Sequence, residues 1–204
     1  MNGTWMLAGI CLACAAAPAP GRDATEAVPA VTTQQDTLVP AGFGTLRQDA
    51  ITASLRDGSL LIKVTPLDEG VIRLLAPDTY QRLHALAGNR RADAEMTGPE
   101  PQMFLVSFFS YQPNTPFHQE NLQLSYQGRL LQPMGVFPLT TNFGRPELEQ
   151  QETQSAIYVF SGPLDYQQPF VVRYGMTSSN DWSQIIQKLD IERARARSRA
   201  GGGG

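Results

Sequence analysis

The alternation of apolar and polar positions between residues 51 and 65 predicts an antiparallel hairpin. The segment reads ITASL, then RDGS, then LLIKVT, with an apolar residue at every second position on either side of Asp57 and Gly58. Asp-Gly is the dipeptide that a type I′ turn favours, because both central residues of that turn have a positive φ. With these two residues as the loop, Leu55 pairs with Leu60, and the apolar side chains of both strands lie on one face.

Shorter apolar runs along the rest of the chain predict further strands. They are rich in aromatic and branched residues and lie at residues 71–75, 104–109, 122–126, 130–131, 156–160 and 170–174. The run at 104–109 is apolar on both faces, so we expect Phe104, Val106 and Phe108 to form the central, most buried strand. Pro133 and Pro138 place the segment between them at a sheet edge, because proline cannot donate to the strand ladder.

Two segments have helical patterns instead. Pro77 starts a short helix that Gly88 ends, since Pro suits the first helical turn and Gly the C-terminal cap, and an exposed loop is expected at 89–102. His84 lies on this helix beside its apolar stripe and is interpreted as a surface histidine. A second helix follows cap candidates at Ser179 and Asn180 and has its apolar residues at helical spacing.

Together these elements predict a mainly β fold, an Ig-like antiparallel β-sandwich of about eight strands with one inserted short helix and a C-terminal amphipathic helix. The expected organisation is a signal peptide at 1–17, a flexible Ala/Pro/Thr tether at 18–45, the sandwich at 46–176, the C-terminal helix with an Arg-rich end at 177–199, and a Gly tail at 200–204.

The N-terminal segment is typical of exported proteins. The run WMLAGICLACAAA is apolar and is followed directly by Pro-Ala-Pro-Gly. Within it, Cys11-Leu12-Ala13-Cys14 resembles a bacterial lipobox, in which the last cysteine is lipidated and becomes the mature N-terminus. The alternative is ordinary cleavage in the Ala-rich stretch at 13–19, which would leave a soluble periplasmic protein. Both alternatives place the chain outside the cytoplasm.

The composition of the chain limits the kinds of ligand and site that we expect. The formal net charge is -3 although four arginines lie between residues 193 and 199, so the body of the chain is acidic, which argues against a nucleic-acid-binding protein. Both cysteines lie within the first 14 residues, which leaves the rest without thiolate or Cys-zinc chemistry. His118 and Glu120 could supply two metal ligands, but no third ligand is visible nearby. We therefore assign no catalytic residue, metal or cofactor.

The later strands also carry a resemblance. The pattern PFHQENLQLSYQGRLLQP, a polar interval, then SAIYVFSGPLDYQQPFVVRYG resembles the Ig-like β-sandwich domains of bacterial envelope lipoproteins. The likeness spans about residues 103–175 and is one of layout. It implies an extracytoplasmic accessory or binding module.

Three functions follow from these patterns. The favoured one is a non-catalytic, membrane-tethered binding or accessory module of an envelope complex; the second is docking on a membrane surface or partner through the C-terminal Arg-rich helix; the third is an enzyme. Working surfaces are expected at loops 113–118 and 140–147 or at the basic tip. Lipidation is assigned to Cys14, and the candidate partner-binding residues are Phe117, His118, Phe143, Arg145, Trp182, Arg193, Arg195 and Arg197.

Overall fold

The computed structural model describes residues 38–202. The predicted signal peptide, Cys14 and the tether as far as residue 37 lie outside the described residues. The elements in chain order are β1 (Ala53–Asp57), β2 (Leu60–Pro66), α1 (Glu69–Ile72), α2 (Pro77–Glu95), β3 (Gln102–Ser110), β4 (Thr115–Pro116), β5 (Leu122–Tyr126), β6 (Arg129–Leu131), β7 (Pro133–Pro138), β8 (Glu147–Leu148), β9 (Thr153–Phe160), β10 (Phe170–Tyr174), β11 (Thr177–Ser179) and α3 (Trp182–Gly201).

The described strands form three antiparallel sheets, so the prediction of a mainly β fold is confirmed. The largest sheet has the order β1-β2-β3-β9-β7, the second has the order β11-β10-β5-β6, and β4 pairs with β8. β3 lies at the centre of the five-stranded sheet, and Phe104, Val106 and Phe108 are fully buried, as predicted. β7 lies at the edge of the sheet and pairs with one neighbour only. The N–H groups that Pro133 and Pro138 lack therefore interrupt no ladder with a second neighbour.

The two larger sheets pack face to face around an aromatic core. Phe104 of β3 meets Phe170 of β10 edge to face, with ring centroids 6.0 Å apart, and Phe108 lies 6.0 Å from Tyr174. Aromatic pairs in this distance range add to the stabilisation that burial itself provides. The result is a sandwich-like arrangement of two sheets.

The first hairpin forms, but its predicted register is wrong by two residues. Asp57 pairs with Leu60 and Leu55 pairs with Ile62, so the loop consists of Gly58 and Ser59. Of these two residues only Gly58 has a positive φ, which is the pattern of a type II′ turn rather than type I′. A shift of two residues keeps every side chain on its predicted face, because the side-chain period of a strand is two.

A second hairpin has the type I′ pattern. The sequence predicts its turn at Gln127 and Gly128, and these are the two loop residues between Tyr126 and Arg129. Both have a positive φ, 49° for Gln127 and 75° for Gly128. The prediction of this hairpin is confirmed.

The strand predicted at residues 71–75 is wrong. The segment forms α1 and a following turn. The backbone carbonyl of Asp68 begins the helix by accepting hydrogen bonds from the amides of Val71 and Ile72. The side chains of Val71, Ile72, Leu74 and Leu75 are all buried. Because the run is apolar throughout, its periodicity does not distinguish a strand from a buried helical turn.

The inserted helix is longer than predicted. α2 continues through Gly88 and ends near Met96, so the expected loop at 89–102 begins only after the helix. Gly88 is exposed, and a side chain there would meet nothing within 4 Å. Ala94 in the last turn is buried, so the packing of that turn outweighs the weak helical propensity of one glycine.

The C-terminal helix packs its apolar stripe on the sheets. Trp182 stacks on Phe170 with ring centroids 4.6 Å apart, and its indole N–H donates to the carbonyl of Tyr166 at 3.1 Å. α3 begins after Asp181, not at Ser179 or Asn180. Between residues 38 and 202, no helix is long and apolar enough to cross a membrane.

Candidate functional site

The outer face of the five-stranded sheet is covered by α2 over only part of its area. Strand register places Arg56, Leu61, Lys63, Ser107, Phe109 and Ser155 together on this face, pointing away from the second sheet. These residues are exposed or half-buried, and we call them the open face. The outward residues Leu105, Ile157 and Val159, farther along the same strands, are buried.

One end of the open face carries a cluster of aromatic and cationic side chains. The guanidinium of Arg56 lies 4.6 Å above the ring centroid of Tyr111, and Phe109 meets Tyr111 edge to face at 4.9 Å. Arg56 is paired with Leu61 across β1 and β2, and Leu61 with Phe109 across β2 and β3, so these side chains form one row. Tyr111 remains 42% exposed.

A polar cleft of about 500 Å³ lies where the open face meets α2. It is lined by side chains from residues 47–52, from β1, β2 and β3 and from the first turns of α2, and half of them carry hydroxyl groups. Its charged side chains are Arg47, Asp49, Lys63 and Arg82. Three cations therefore face one carboxylate, although the body of the chain is acidic.

Hydrogen bonds order one wall of the polar cleft. Arg82 Nη2 donates to Gln48 Oε1 at 2.5 Å, and Gln48 Nε2 donates to the hydroxyl of Thr65 at 3.4 Å. Thr65 is buried at the floor and shares a hydrogen bond of 2.8 Å with Thr52. The network holds Arg82 beside the cleft and leaves its remaining donors available.

A second cluster surrounds Glu69 and was missed by the sequence analysis. The Glu69 carboxylate accepts hydrogen bonds from Arg73 Nε at 2.8 Å and from the Tyr80 hydroxyl at 3.3 Å, and it contacts His84 Nδ1. Two pairs at helical spacing, Glu69 with Arg73 and Tyr80 with His84, are the signal that could have revealed it. A strand at residues 71–75, as the sequence predicts, gives His84 no partner, whereas a helical turn brings Glu69 to it.

Opposing pKa shifts mark the carboxylates of this region. Burial raises the pKa of Glu69, but hydrogen bonds from Arg73 and His84 outweigh that effect, so the pKa of Glu69 lies below its ordinary value. Burial raises the pKa of Asp68 above its ordinary value. Both residues line an acidic cleft of about 700 Å³ that also contains Glu100, Asp165 and Arg193.

The two phenylalanines predicted as exposed contacts lie mainly in the core. Phe117 is only 3% exposed and packs 4.4 Å from the ring of Phe108, so its expected exposure is wrong. Phe143 is partly buried and meets Phe117 edge to face at 5.5 Å. A ring between the two sheets gains more from burial than a ring in water, which is why these loop aromatics turn inward.

His118 is exposed, and its segment is held by two tyrosines. The backbone amide of His118 donates to the Tyr174 hydroxyl, and the Tyr158 hydroxyl donates to the carbonyl of Gln119, both at 2.9 Å. Burial raises the pKa of Tyr158, which keeps this donor protonated. The His118 ring lies 3.7 Å from a carboxylate oxygen of Glu120, and the described part of the chain contains no group of three His, Cys, Asp or Glu that could hold a metal.

The remaining candidates divide between surface and interior. Arg145 is exposed and pairs with Glu152 at 3.0 Å. Trp182 is 1% exposed, so the expectation that it offers a contact surface is wrong. The large apolar ring closes the core beneath α3 instead.

The arginines of α3 do not form a uniformly solvated tip. Arg193 is ion-paired with Asp190 at 2.6 Å, and Arg199 donates to the carbonyl of Phe43 and to Glu192. Arg195 and Arg197 are exposed. The charges of Arg193 and Arg199 are therefore used within the domain.

Comparisons with protein-family models, with curated proteins and with solved structures find no match to this chain.

Proposed function

We propose that this chain is a non-catalytic extracytoplasmic binding module, tethered to a membrane through Cys14, that acts as an accessory subunit or partner-binding protein of the cell envelope. The sequence supports export and tethering through its apolar N-terminal run and the Cys11 to Cys14 motif. The observation that carries the binding function is the open face with Tyr111 beside it.

The composition of this surface suits a binding role. Tyr111 contacts both Arg56 and Phe109, and all three side chains are at least partly accessible. Arginine and tyrosine are enriched among residues that dominate binding energy. The face lies on a rigid sheet, so little conformational entropy is lost when a partner binds. The adjacent hydroxyl groups of Ser107 and Ser155 provide a polar border.

An Ig-like identity for the sandwich is part of this proposal. It is supported by two antiparallel sheets that pack face to face around aromatic residues. Such domains carry their functions on surfaces and loops, and the layout by itself specifies no ligand.

Docking through α3 is the alternative, and the packing limits what it can use. Its apolar stripe of Trp182, Ile185 and Leu189 is buried against the sheets. Ile191, which is 54% exposed, and Arg195 one turn later remain on the outer side of the helix. This pair would support a weak contact with an anionic surface.

An enzymatic role has less support. His118 and Glu120, the pair that the sequence offers for chemistry, line neither the polar cleft nor the acidic cleft. Glu69 orients His84, but the groups around them are a guanidinium and a phenol rather than a nucleophile.

Site-specific photocrosslinking in native membranes tests the binding function. A photoreactive phenylalanine analogue is placed at Tyr111, and a matched control is placed at Arg129, which is exposed on β6 of the other sheet. We expect a discrete crosslinked product from position 111 and none from position 129. Equal adducts at both positions, or none above background at position 111, would remove the open face as the binding surface.

The tether is tested separately by Cys14→Ala. We expect this variant to leave the membrane fraction and appear in the soluble envelope fraction. Retention of the variant in the membrane would refute a lipid anchor at Cys14 without bearing on the open face.

A further inference from the structure

We infer that the polar cleft binds an oxyanion, a phosphate or carboxylate group, with Lys63 and Arg82 as the charged contacts. This inference rests on the proposed binding function and specifies the chemistry of one part of the ligand.

The shape of the cleft suits a small polar group. Its volume of about 500 Å³ falls within the range of sites for small ligands, which is about 300 to 1,000 Å³. One wall is the outer face of β1, β2 and β3, and the other is the start of α2, where Thr79 and Arg82 reach the same space as Lys63. Residues 47–52, which precede β1, complete the lining, so the backbone of most of the cleft belongs to regular elements.

Lys63 is a cation at a position that the fold does not require to be charged. It lies on β2 between Ser54 of β1 and Ser107 of β3, which are both neutral. Opposite charges on neighbouring strands would stabilise the sheet, but Lys63 forms no ion pair within residues 38–202. The ammonium group therefore remains available to a ligand.

Arg82 is positioned rather than free. Gln48 accepts one of its N–H donors at 2.5 Å, and Gln48 is in turn linked to the buried hydroxyl of Thr65. The planar guanidinium keeps further donors in a fork that matches the two oxygens of a carboxylate or phosphate. A cation that is already oriented loses less entropy when it binds an anion.

The carboxylates near the cleft leave a positive excess. Asp49 pairs with Arg47 at 3.4 Å, with both side chains largely exposed. Asp181 accepts a hydrogen bond from the backbone amide of Ser54 at 3.0 Å and caps the edge of β1. Because Asp49 is the only carboxylate among the lining residues, an anion entering the cleft meets Lys63 and Arg82 without a competing internal partner.

The test uses the full chain and follows backbone amide resonances during titration with inorganic phosphate or with acetate, at constant ionic strength with chloride as the reference anion. We expect saturable shifts at the residues that line the cleft, and not at β5 or β6 of the other sheet. The variants are Lys63→Gln and Arg82→Gln, and Arg129→Gln is the control with the same change in net charge.

Each charge removed from the cleft should weaken binding by about tenfold, which corresponds to about 1.4 kcal/mol. Arg129→Gln should leave affinity unchanged. Phosphate and acetate identify the preferred anion by their relative affinity. Shifts that do not saturate with either anion, or that persist in both cleft variants, would overturn the inference.

This outcome is independent of the crosslinking experiment. A crosslink at position 111 without anion binding would leave the binding module in place and reject the oxyanion site alone. Anion binding without a crosslink would reject the open face as a partner surface while retaining the site.

Discussion

Glu192 of α3 accepts two hydrogen bonds from Thr45, one from the backbone amide and one from the hydroxyl, each 2.9 Å long. The carboxylate is buried, and Arg199 contacts it from the next turns of the helix. Arg199 also donates to the carbonyl of Phe43. The segment around Phe43 and Thr45 is thereby attached to the C-terminal helix, at the arginine-rich end that the sequence predicts as a possible working surface.

Glu192→Ala should reduce the free energy of unfolding by about 2 kcal/mol, because it removes a buried carboxylate that accepts hydrogen bonds from Thr45 and from the partly exposed Arg199. Denaturant unfolding measures the loss. Glu95→Ala, which removes an exposed carboxylate from the end of α2, is the control and should change stability little. Equal effects of the two substitutions would show that the contact with Thr45 does not stabilise the fold.

Gly44→Ala should also destabilise the protein. A Cβ atom at this position would lie 2.2 Å from the backbone carbonyl carbon of Leu74, and the backbone cannot move without breaking the hydrogen bond between Leu46 N and Leu74 O. The cost should reach or exceed the upper end of about 1 to 3 kcal/mol that overpacking typically causes.

Gly88→Ala is the matched substitution with the opposite expected sign. Gly88 lies inside α2, is exposed and has open space around it, so alanine should stabilise the helix by about 0.5 to 1 kcal/mol. Thermal unfolding of both glycine variants gives the comparison. A decrease in melting temperature for Gly88→Ala would contradict the continuous helix through this residue.

Replacing Gln127 by Asn should stabilise the second hairpin. Gln127 has a φ of 49°, which costs a residue with a long side chain about 1 kcal/mol and costs Asn less. Part of the gain is offset by the loss of the hydrogen bond from Gln127 to the Tyr126 hydroxyl. Ser59→Asn in the first hairpin is the control, and it should bring no gain because Ser59 does not have a positive φ.

Acid should weaken the contact between α1 and α2. The pKa of Glu69 is lowered in the folded state from an ordinary value of 4.5, so its ionised form stabilises the fold above that pH. This contribution is lost as the pH falls below 4.5 and through the lower folded-state pKa. Glu69→Gln should be less stable than the parent at neutral pH, and the difference should shrink in acid.

The measurement is the free energy of unfolding of the parent and of Glu69→Gln at several pH values. The difference between the two proteins isolates Glu69, because Asp68 is present in both and its raised pKa acts in the opposite direction. A difference that does not change between neutral and acidic pH would show that the ionisation of Glu69 does not contribute to folding.

Local patterns predicted most of the strands, and the errors have identifiable causes. The alternation around Gly58 established which residues face the core, but turn chemistry alone did not distinguish two registers that share the same faces. The apolar run at 71–75 has no periodicity that would distinguish a strand from a helix, because its residues are buried on all sides. Glycine favours a helix end at Gly88, but the burial of Ala94 beyond it, which extends the helix, depends on tertiary packing that the local sequence does not show.

The candidate site was harder to predict than the fold. The polar cleft unites residues from β1, β2, β3 and α2, and Lys63 and Arg82 have no sequence signal that relates them. The chemistry of Glu69 likewise depends on how α1 meets α2. Phe117 lies in a loop, and the apolar stripe that contains Trp182 suits either packing on the sheets or contact with a partner, so only the packing of the two sheets shows that both rings are buried.

The edges of the five-stranded sheet limit how another protein can approach it. Asp181 occupies the outward amide of Ser54 on β1, and Pro133 and Pro138 interrupt the donors of β7 at the other edge. A partner strand added at either edge would therefore find backbone donors missing from its ladder. Recognition by this domain would therefore depend on side chains, and substitutions on the sheet surface could change a partner without altering the architecture.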